Sequence, residues 1–231
     1  MFELKINGRV VKGEKGETVR KVAERENIHI PTLCFNETLG PMGRCKLCSV
    51  SVREGDKTRI VASCLYPVRE GMEVLTDGDE VFAARKEAIQ AMLALAPAAG
   101  VIHALAAAYG IAVPEYGPDK ANERCILCSM CVKTCKEVVG VAALSIAGKR
   151  DERKVEATDA CIGCGACVVV CPTGHIVMEE RDGVRTVWGN KFELAKCPKC
   201  GRAQAPSFQL EWISKKTGVP METLMVCQDC K

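Results

Sequence analysis

At 231 residues, with 48% hydrophobic but only 4% aromatic side chains, the chain has room for one large domain or two to three small ones. Its formal net charge of +3 is too weak for a nucleic-acid-binding stripe or a polybasic membrane patch. So few aromatics suit small modules whose centres are filled by something other than large side chains.

The sixteen cysteines supply that filling. They fall into four groups of four, Cys34/Cys45/Cys48/Cys64, Cys125/Cys128/Cys131/Cys135, Cys161/Cys164/Cys167/Cys171 and Cys197/Cys200/Cys227/Cys230, and none lies outside a group. Four thiolates satisfy one tetrahedral ion or one iron–sulfur cluster, so the pattern proposes four inorganic sites. Disulfides are the alternative. Against them, Met1-Phe2-Glu3-Leu4-Lys5 has neither the basic nor the apolar stretch of a secretory signal, which predicts a reducing, cytoplasmic setting. The repeated C-x-x-C steps are also metal-ligand spacing.

In chain order, residues 1–78 read as a small α+β module. Phe2 to Ile6 alternates with period two, Asn7-Gly8 is a hairpin turn, and Arg9-Val10-Val11 returns as a second strand. Thr18 is placed to cap a helix reaching about Glu26, with Val19, Val22 and Ala23 on one face. A Gly- and Pro-rich loop from Cys34 to Cys48 precedes strand-like 49–52 and 59–62, and 72–75 closes the set. This is a ferredoxin-type β-grasp order. Its C-x10-C-x2-C-x15-C spacing shares the close pair and remote closer of plant-type [2Fe–2S] ferredoxins, with a longer first gap. Zinc is the alternative occupant. Gly40, Pro41 and Gly43 are expected to let the backbone wrap closely and aim amides at sulfur.

Residues 79–117 form an alanine-rich helical connector. The stretch from Ala88 to Val113 carries no charged residue, long enough to suggest a membrane span. Alanine supplies little transfer energy, however, and Pro97 and Gly100 predict two buried helices with a break between them. Pro114, Gly117 and Pro118 end the connector.

Residues 118–190 contain an internal repeat, C-x2-C-x2-C-x3-C at Cys125 and again at Cys161. Duplication of a small unit implies pseudo-two-fold packing. This is the bacterial two-cluster ferredoxin run, in which the fourth cysteine ligates the other cluster. Cys125, Cys128, Cys131 and Cys171 are therefore assigned to one [4Fe–4S] cluster, and Cys161, Cys164, Cys167 and Cys135 to the second. Pro172 follows Cys171 as the pattern requires, while Lys136 follows Cys135. Gly163 and Gly165 are expected to remove side chains where backbone approaches inorganic sulfur.

Residues 191–231 hold C-x2-C-x26-C-x2-C, two knuckles that suit a zinc-ribbon-like module around one zinc ion at Cys197, Cys200, Cys227 and Cys230. A further iron–sulfur cluster or a mononuclear iron is the alternative. Ser207 is placed to cap a helix through Lys216, with a turn at Thr217-Gly218-Val219-Pro220 and a second short helix after it. His29, His103 and His175 have no partner at ligand spacing. Neither a dinucleotide-binding nor a Walker glycine loop is present, and the cysteines are committed to metal, so no catalytic residues are assigned.

With these motifs in view, the first 190 residues resemble the N-terminal iron–sulfur region of the large peripheral subunit of respiratory NADH dehydrogenase. They are similar also to the diaphorase iron–sulfur subunit of NAD-reducing hydrogenases and to the accessory domains of [FeFe] hydrogenases. Cys34 through Cys64, Arg124 through Glu137 and Cys161 through Gly174 carry the resemblance. It implies electron relay between a flavoprotein handling NAD(P)H and a second redox centre, as in a hydrogenase, a formate dehydrogenase or an electron-bifurcating enzyme. Such proteins usually carry an additional [4Fe–4S] cluster, held by one His and three Cys, between the first two groups. Here Cys64 to Cys125 encloses no cysteine, so that cluster is expected to be missing and His103 is not assigned as a ligand. The C-terminal module is a second departure. It leaves open a redox-sensing regulator, through a vaguely helix–turn–helix-like stretch from Leu210 to Pro220; a free-standing polyferredoxin is a third reading.

Overall fold

A computed structural model describes residues 1–117, 123–149 and 152–231, so the module boundary expected at 118 lies outside the described residues. The chain forms two compact units, Met1–Cys128 and Ser129–Lys231.

In the first unit, β1 (Phe2–Ile6) and β2 (Arg9–Gly13) form an antiparallel hairpin. Asn7 and Gly8 both take left-handed φ, 52° and 79°, the twist a two-residue hairpin turn needs. Leu4 and Ile6 point into the core while Glu3 and Lys5 face water, the alternation seen in the sequence. Thr18 accepts a hydrogen bond from the Lys21 amide and so caps α1 (Val19–Arg25), whose Val19, Val22 and Ala23 are buried. Two short strands, β3 (Phe35–Asn36) and β4 (Gly40–Pro41), pair within the first cysteine loop. β5 (Ser49–Glu54), β6 (Lys57–Ala62) and β7 (Glu73–Leu75) complete a five-stranded sheet of order β2-β1-β7-β5-β6. Only β1 and β7 run parallel.

The uncharged run is divided between α2 (Asp79–Leu95) and α3 (Gly100–Ala108), with the break at Pro97 as expected. Among the described residues no helix is long and apolar enough to cross a membrane. α2 is tied to the sheet by Arg85, a buried guanidinium that donates to the Ser49 carbonyl at 2.9 and 3.2 Å and to the Thr76 carbonyl at 2.9 Å. His103 meets the Pro97 carbonyl through Nε2, so its ring is engaged in closing the turn between the two helices.

The second unit opens with α4 (Met130–Lys133), which runs into a π-helical turn over Thr134–Val139. The hairpin of β8 (Leu144–Ala147) and β9 (Lys154–Ala157) follows, then the single-turn α5 (Ala166–Val169). β10 (Met178–Arg181), β11 (Val184–Val187), β12 (Asn190–Lys196) and β13 (Ala203–Pro206) form one antiparallel sheet in that order. This sheet runs without interruption across residue 190. α6 (Ser207–Thr217) packs on β12 and β13 through Leu210, and α7 (Met221–Leu224) is a single turn. Ser207 is the first helical residue rather than its cap: Pro206 occupies the cap position and no side-chain cap bond forms. A four-residue α7 is also too short to serve as a second helix of a helix–turn–helix.

Two outcomes follow from the first unit. Arg85→Leu removes the donors from two buried carbonyls and is expected to lower the unfolding free energy by about 2–3 kcal/mol, read by denaturant titration. Glu17 accepts from the Glu14 amide and from Arg25 and Lys21, and its pKa is held down to about 2, the Glu14 backbone bond being the main cause. A depressed carboxylate stabilises the fold above its unfolded pKa, so this contribution is full at neutral pH and is lost as pH falls from about 4.5 toward 2. Glu17→Gln should flatten the pH dependence of stability in that window.

Candidate metal centres

All sixteen cysteines lie among the described residues, and none forms a disulfide. The first four are buried where the β3–β4 loop and the start of β5 meet the end of β6. The amides of Arg44 and Cys45 point at Cys34 Sγ at 3.4 and 3.3 Å, the backbone-to-sulfur arrangement expected of this loop. The loop can turn this way because Gly43 has φ 66°, and a Cβ there would lie 2.2 Å from Leu65.

The four sulfurs act as two pairs. A thiol hydrogen bond from Cys34 is the main cause that pushes Cys45 down to about 5, while the same bond pushes Cys34 up. Likewise the Cys64 thiol holds Cys48 down to about 6 and is itself pushed up.

In the second unit Cys135, Cys161, Cys164 and Cys167 line a single cavity with Val139, Ala143, Leu144, Ala166, Val187 and Trp188. The sequence assigned these four cysteines to one set, although Cys135 stands 26 residues before Cys161. Nearly all of the lining is apolar, as a cluster shielded from water requires. The Ala143 amide donates to Cys135 Sγ at 3.2 Å, and the indole N–H of Trp188 donates to Cys167 Sγ at 3.4 Å. Burial is the main cause that pushes Cys161 and Cys167 up.

Cys131 lies on α4 and Cys171 follows α5, two elements that pack together in the second unit; Cys125 and Cys128 end the first unit, with the Leu127 amide donating to Cys125 Sγ at 3.4 Å. The two repeats share their backbone path: Leu127 (φ 51°) corresponds to Gly163 (φ 68°), and Ser129 (φ 68°) to Gly165 (φ 75°). Both repeats need left-handed residues there, and the first supplies them with side chains attached. Gly163 and Gly165 also face crowding from another side. A Cβ on Gly163 would lie 2.6 Å from the Phe192 ring, and one on Gly165 would lie 2.7 Å from Met178 Sδ, so both glycines make room for the β10–β12 sheet.

Thr32 Oγ1, Ser129 Oγ and Thr134 Oγ1 have no hydrogen-bond partner although they are buried. Each stands within two residues of a grouped cysteine. Buried hydroxyls without acceptors are costly, and sulfide or thiolate is the acceptor a cluster brings to such positions.

Cys197, Cys200, Cys227 and Cys230 have all four sulfurs within 4.8 Å of one another. The Cys200 and Cys227 sulfurs are 3.6 Å apart. The first knuckle is the turn between β12 and β13, and the second follows α7. The Cys227 amide reaches Cys197 Sγ at 3.5 Å and is the main cause that holds Cys197 down to about 6; hydrogen bonding to Cys227 pushes Cys230 up to about 12. Arg202 pairs with Asp229 across the two knuckles, and Lys199 donates to the Cys230 carbonyl at 2.7 Å. A tetrahedral ion with 2.3 Å bonds sets its sulfurs about 3.8 Å apart, so this cage matches one ion.

Fold and cysteine geometry together define an iron–sulfur protein with a mixed helix and sheet architecture. Residues 1–79 match a 2Fe-2S iron-sulfur cluster binding domain, and residues 120–178 and 160–205 match two models of a 4Fe-4S dicluster domain. The chain is 28% identical to the NADPH-Fe(3+) oxidoreductase subunit alpha of Geobacter sulfurreducens, over 96% of this chain and 29% of that one. It is also 28% identical to an NADH-quinone oxidoreductase subunit of Rhizobium meliloti, over 98% of this chain and 30% of that one. Among solved structures, NAD+-reducing [NiFe]-hydrogenase in the H2-reduced state matches with a TM-score of 0.58 at 26% identity, covering 68% of this chain and 75% of that chain. The expected resemblance to subunits of NAD(P)H-linked oxidoreductases and hydrogenases is thus borne out. The chain spans about a third of the length of the curated relatives it matches. Both alignments run on into the C-terminal residues, which the cysteine motifs alone had placed outside the resemblance.

Sequence reasoning had no signal for Trp188, Phe192 or Arg185, whose guanidinium donates to the Gly163 carbonyl at 2.9 Å. All three brace the Cys161–Cys167 loop from the β11–β12 hairpin. Gly163→Ala should cost about 2–4 kcal/mol, combining a left-handed alanine with overpacking against Phe192. Iron retained per chain after gel filtration, together with the unfolding midpoint, checks this.

Proposed function

We propose that the chain is an electron-relay subunit of a multi-subunit NAD(P)H-linked oxidoreductase of the hydrogenase, formate dehydrogenase or electron-bifurcating type, with no substrate site of its own. The observation that carries this is the union in one chain of a 2Fe-2S domain and a 4Fe-4S dicluster domain, in the company of relatives named as NAD(P)H-linked oxidoreductase subunits. Cys34, Cys45, Cys48 and Cys64 would hold a [2Fe–2S] cluster in a β-grasp domain over residues 1–78, one iron to each sulfur pair. Spacing and the dicluster match support Cys125, Cys128, Cys131 and Cys171 as ligands of one [4Fe–4S] cluster in a domain over 118–190. The shared cavity supports Cys135, Cys161, Cys164 and Cys167 as ligands of the other. The helical connector over 79–117 would carry no cluster, His103 being engaged by Pro97.

For Cys197, Cys200, Cys227 and Cys230, in a zinc-ribbon-like module over 191–231, the close mutual approach of the sulfurs supports a single zinc over a cubane cluster. A cubane places an iron atom between each sulfur and the centre, and so needs a wider cage. Its partners would be a flavoprotein subunit handling NAD(P)H and a catalytic subunit, with the chain relaying electrons between them, and the setting cytoplasmic. When bound, the clusters supply one-electron transfer; the chain's own residues fix their spacing, exclude water and aim N–H groups at sulfur.

Metal analysis of anaerobically purified protein should give about ten iron atoms and one zinc per chain. About fourteen iron and no zinc would overturn the zinc assignment. Dithionite should bleach the visible absorption directly, whereas NAD(P)H should do so only once the flavoprotein partner is added. Bleaching by NAD(P)H with the chain alone would sink the relay reading, and salt-dependent retention on DNA would favour a regulator.

A further inference from the structure

We propose that Trp188 sets the reduction potential of the centre held by Cys135, Cys161, Cys164 and Cys167, raising it through the hydrogen bond from its indole N–H to Cys167. The inference rests on reading those four cysteines as ligands of one [4Fe–4S] cluster.

Three observations converge on this residue. Its indole nitrogen lies 3.4 Å from Cys167 Sγ, a direct side-chain contact to a ligand sulfur. Its ring lines the same cavity as the four cysteines. Its backbone is left-handed, φ 57°, at the first position of the two-residue turn joining β11 to β12. That position favours asparagine, aspartate or glycine, and a bulky side chain there is strained. Tryptophan gains nothing for the turn, so the strain is offset by what the side chain does. Strain of this kind gathers at functional sites.

The turn also explains the aim. Val187 is buried and anchors the end of β11, Gly189 (φ 75°) closes the hairpin, and the reversal swings the indole back over the Cys161–Cys167 loop. Arg185 and Phe192, on the paired strands, hold that loop from the same side. His175 meets the indole edge-on, with ring centroids 6.3 Å apart, and limits its rotation.

The sign of the effect follows from charge. Reduction adds one electron to the cluster and its thiolates, and an N–H dipole aimed at sulfur favours the more negative state. Potentials of such centres are set in part by hydrogen bonds to their sulfurs and in part by solvent exposure. The two influences separate in a variant. Losing the donor lowers the potential, whereas admitting water raises it.

Trp188→Phe keeps a ring and removes the donor. Redox titration of the anaerobic full-length chain, followed by low-temperature electron paramagnetic resonance, should show one [4Fe–4S] signal about tenfold harder to reduce. That corresponds to about 59 mV for a one-electron couple. The [2Fe–2S] signal and the other [4Fe–4S] signal act as internal references and should not move. An unchanged potential with full iron content would overturn the role, and a rise would make the indole a water shield instead. Wild-type protein with only one [4Fe–4S] signal would strike the underlying ligand assignment rather than Trp188. If the Phe variant loses its cluster, protein that keeps Trp188 and carries 15N at the indole still decides the matter. Trp212, the other tryptophan, is removed as Trp212→Phe, and a 15N hyperfine coupling to a reduced [4Fe–4S] cluster is expected. Its absence would overturn the proposal.

Discussion

A thiolate is expensive to bury, and in each of the four cysteine groups a backbone amide or a neighbouring side chain is turned toward sulfur. Arg44 and Cys45 turn their amides to Cys34, Leu127 to Cys125, Ala143 to Cys135 and Cys227 to Cys197. Aiming amides in this way requires tight, left-handed turns, and those turns decide which residues the loops contain. Strands and helices then serve mainly to hold the loops at their ends. β5 and β6 bracket Cys48 and Cys64, α4 and α5 carry Cys131 and Cys167, and β12 delivers Cys197.

The cysteine sets differ in their surroundings. The C-terminal cage draws four sulfurs within 4.8 Å, the spread of one ion. The first group instead splits into the pairs Cys34/Cys45 and Cys48/Cys64, and the third set is arranged around an apolar cavity. Sulfur spacing is thus information that C-x-x-C steps by themselves do not carry.

Much of this was readable in the residues. Asn7-Gly8, the Thr18 cap and the Pro97 break each express a local preference, and the structure follows them. The approach of Cys135 to Cys161, Cys164 and Cys167 was also legible, because the repeated spacing itself points the last cysteine of one repeat toward the other. What escaped was long-range. Arg85 reads as an ordinary helix arginine until Ser49 and Thr76 bring their carbonyls to it. Gly163 and Gly165 signal a close approach in sequence, but only the fold shows that Phe192 and Met178 are what approaches. The break suggested at residue 190 is crossed by β11–β12 pairing, because hydrogen-bond register does not heed shifts in composition.

That last pairing bears on modularity. In sequence, residues 191–231 read as a separate module around two cysteine knuckles. β12, however, places Phe192 against Gly163 before it leads into Cys197, and Lys216 of α6 reaches back to the Val139 carbonyl beside the turn that carries Cys135. A deletion drawn between the modules would cut a sheet and strip the brace from the Cys161–Cys167 loop. The C-terminal cysteines are therefore built into the same framework as the Cys161–Cys167 loop rather than hung from its end.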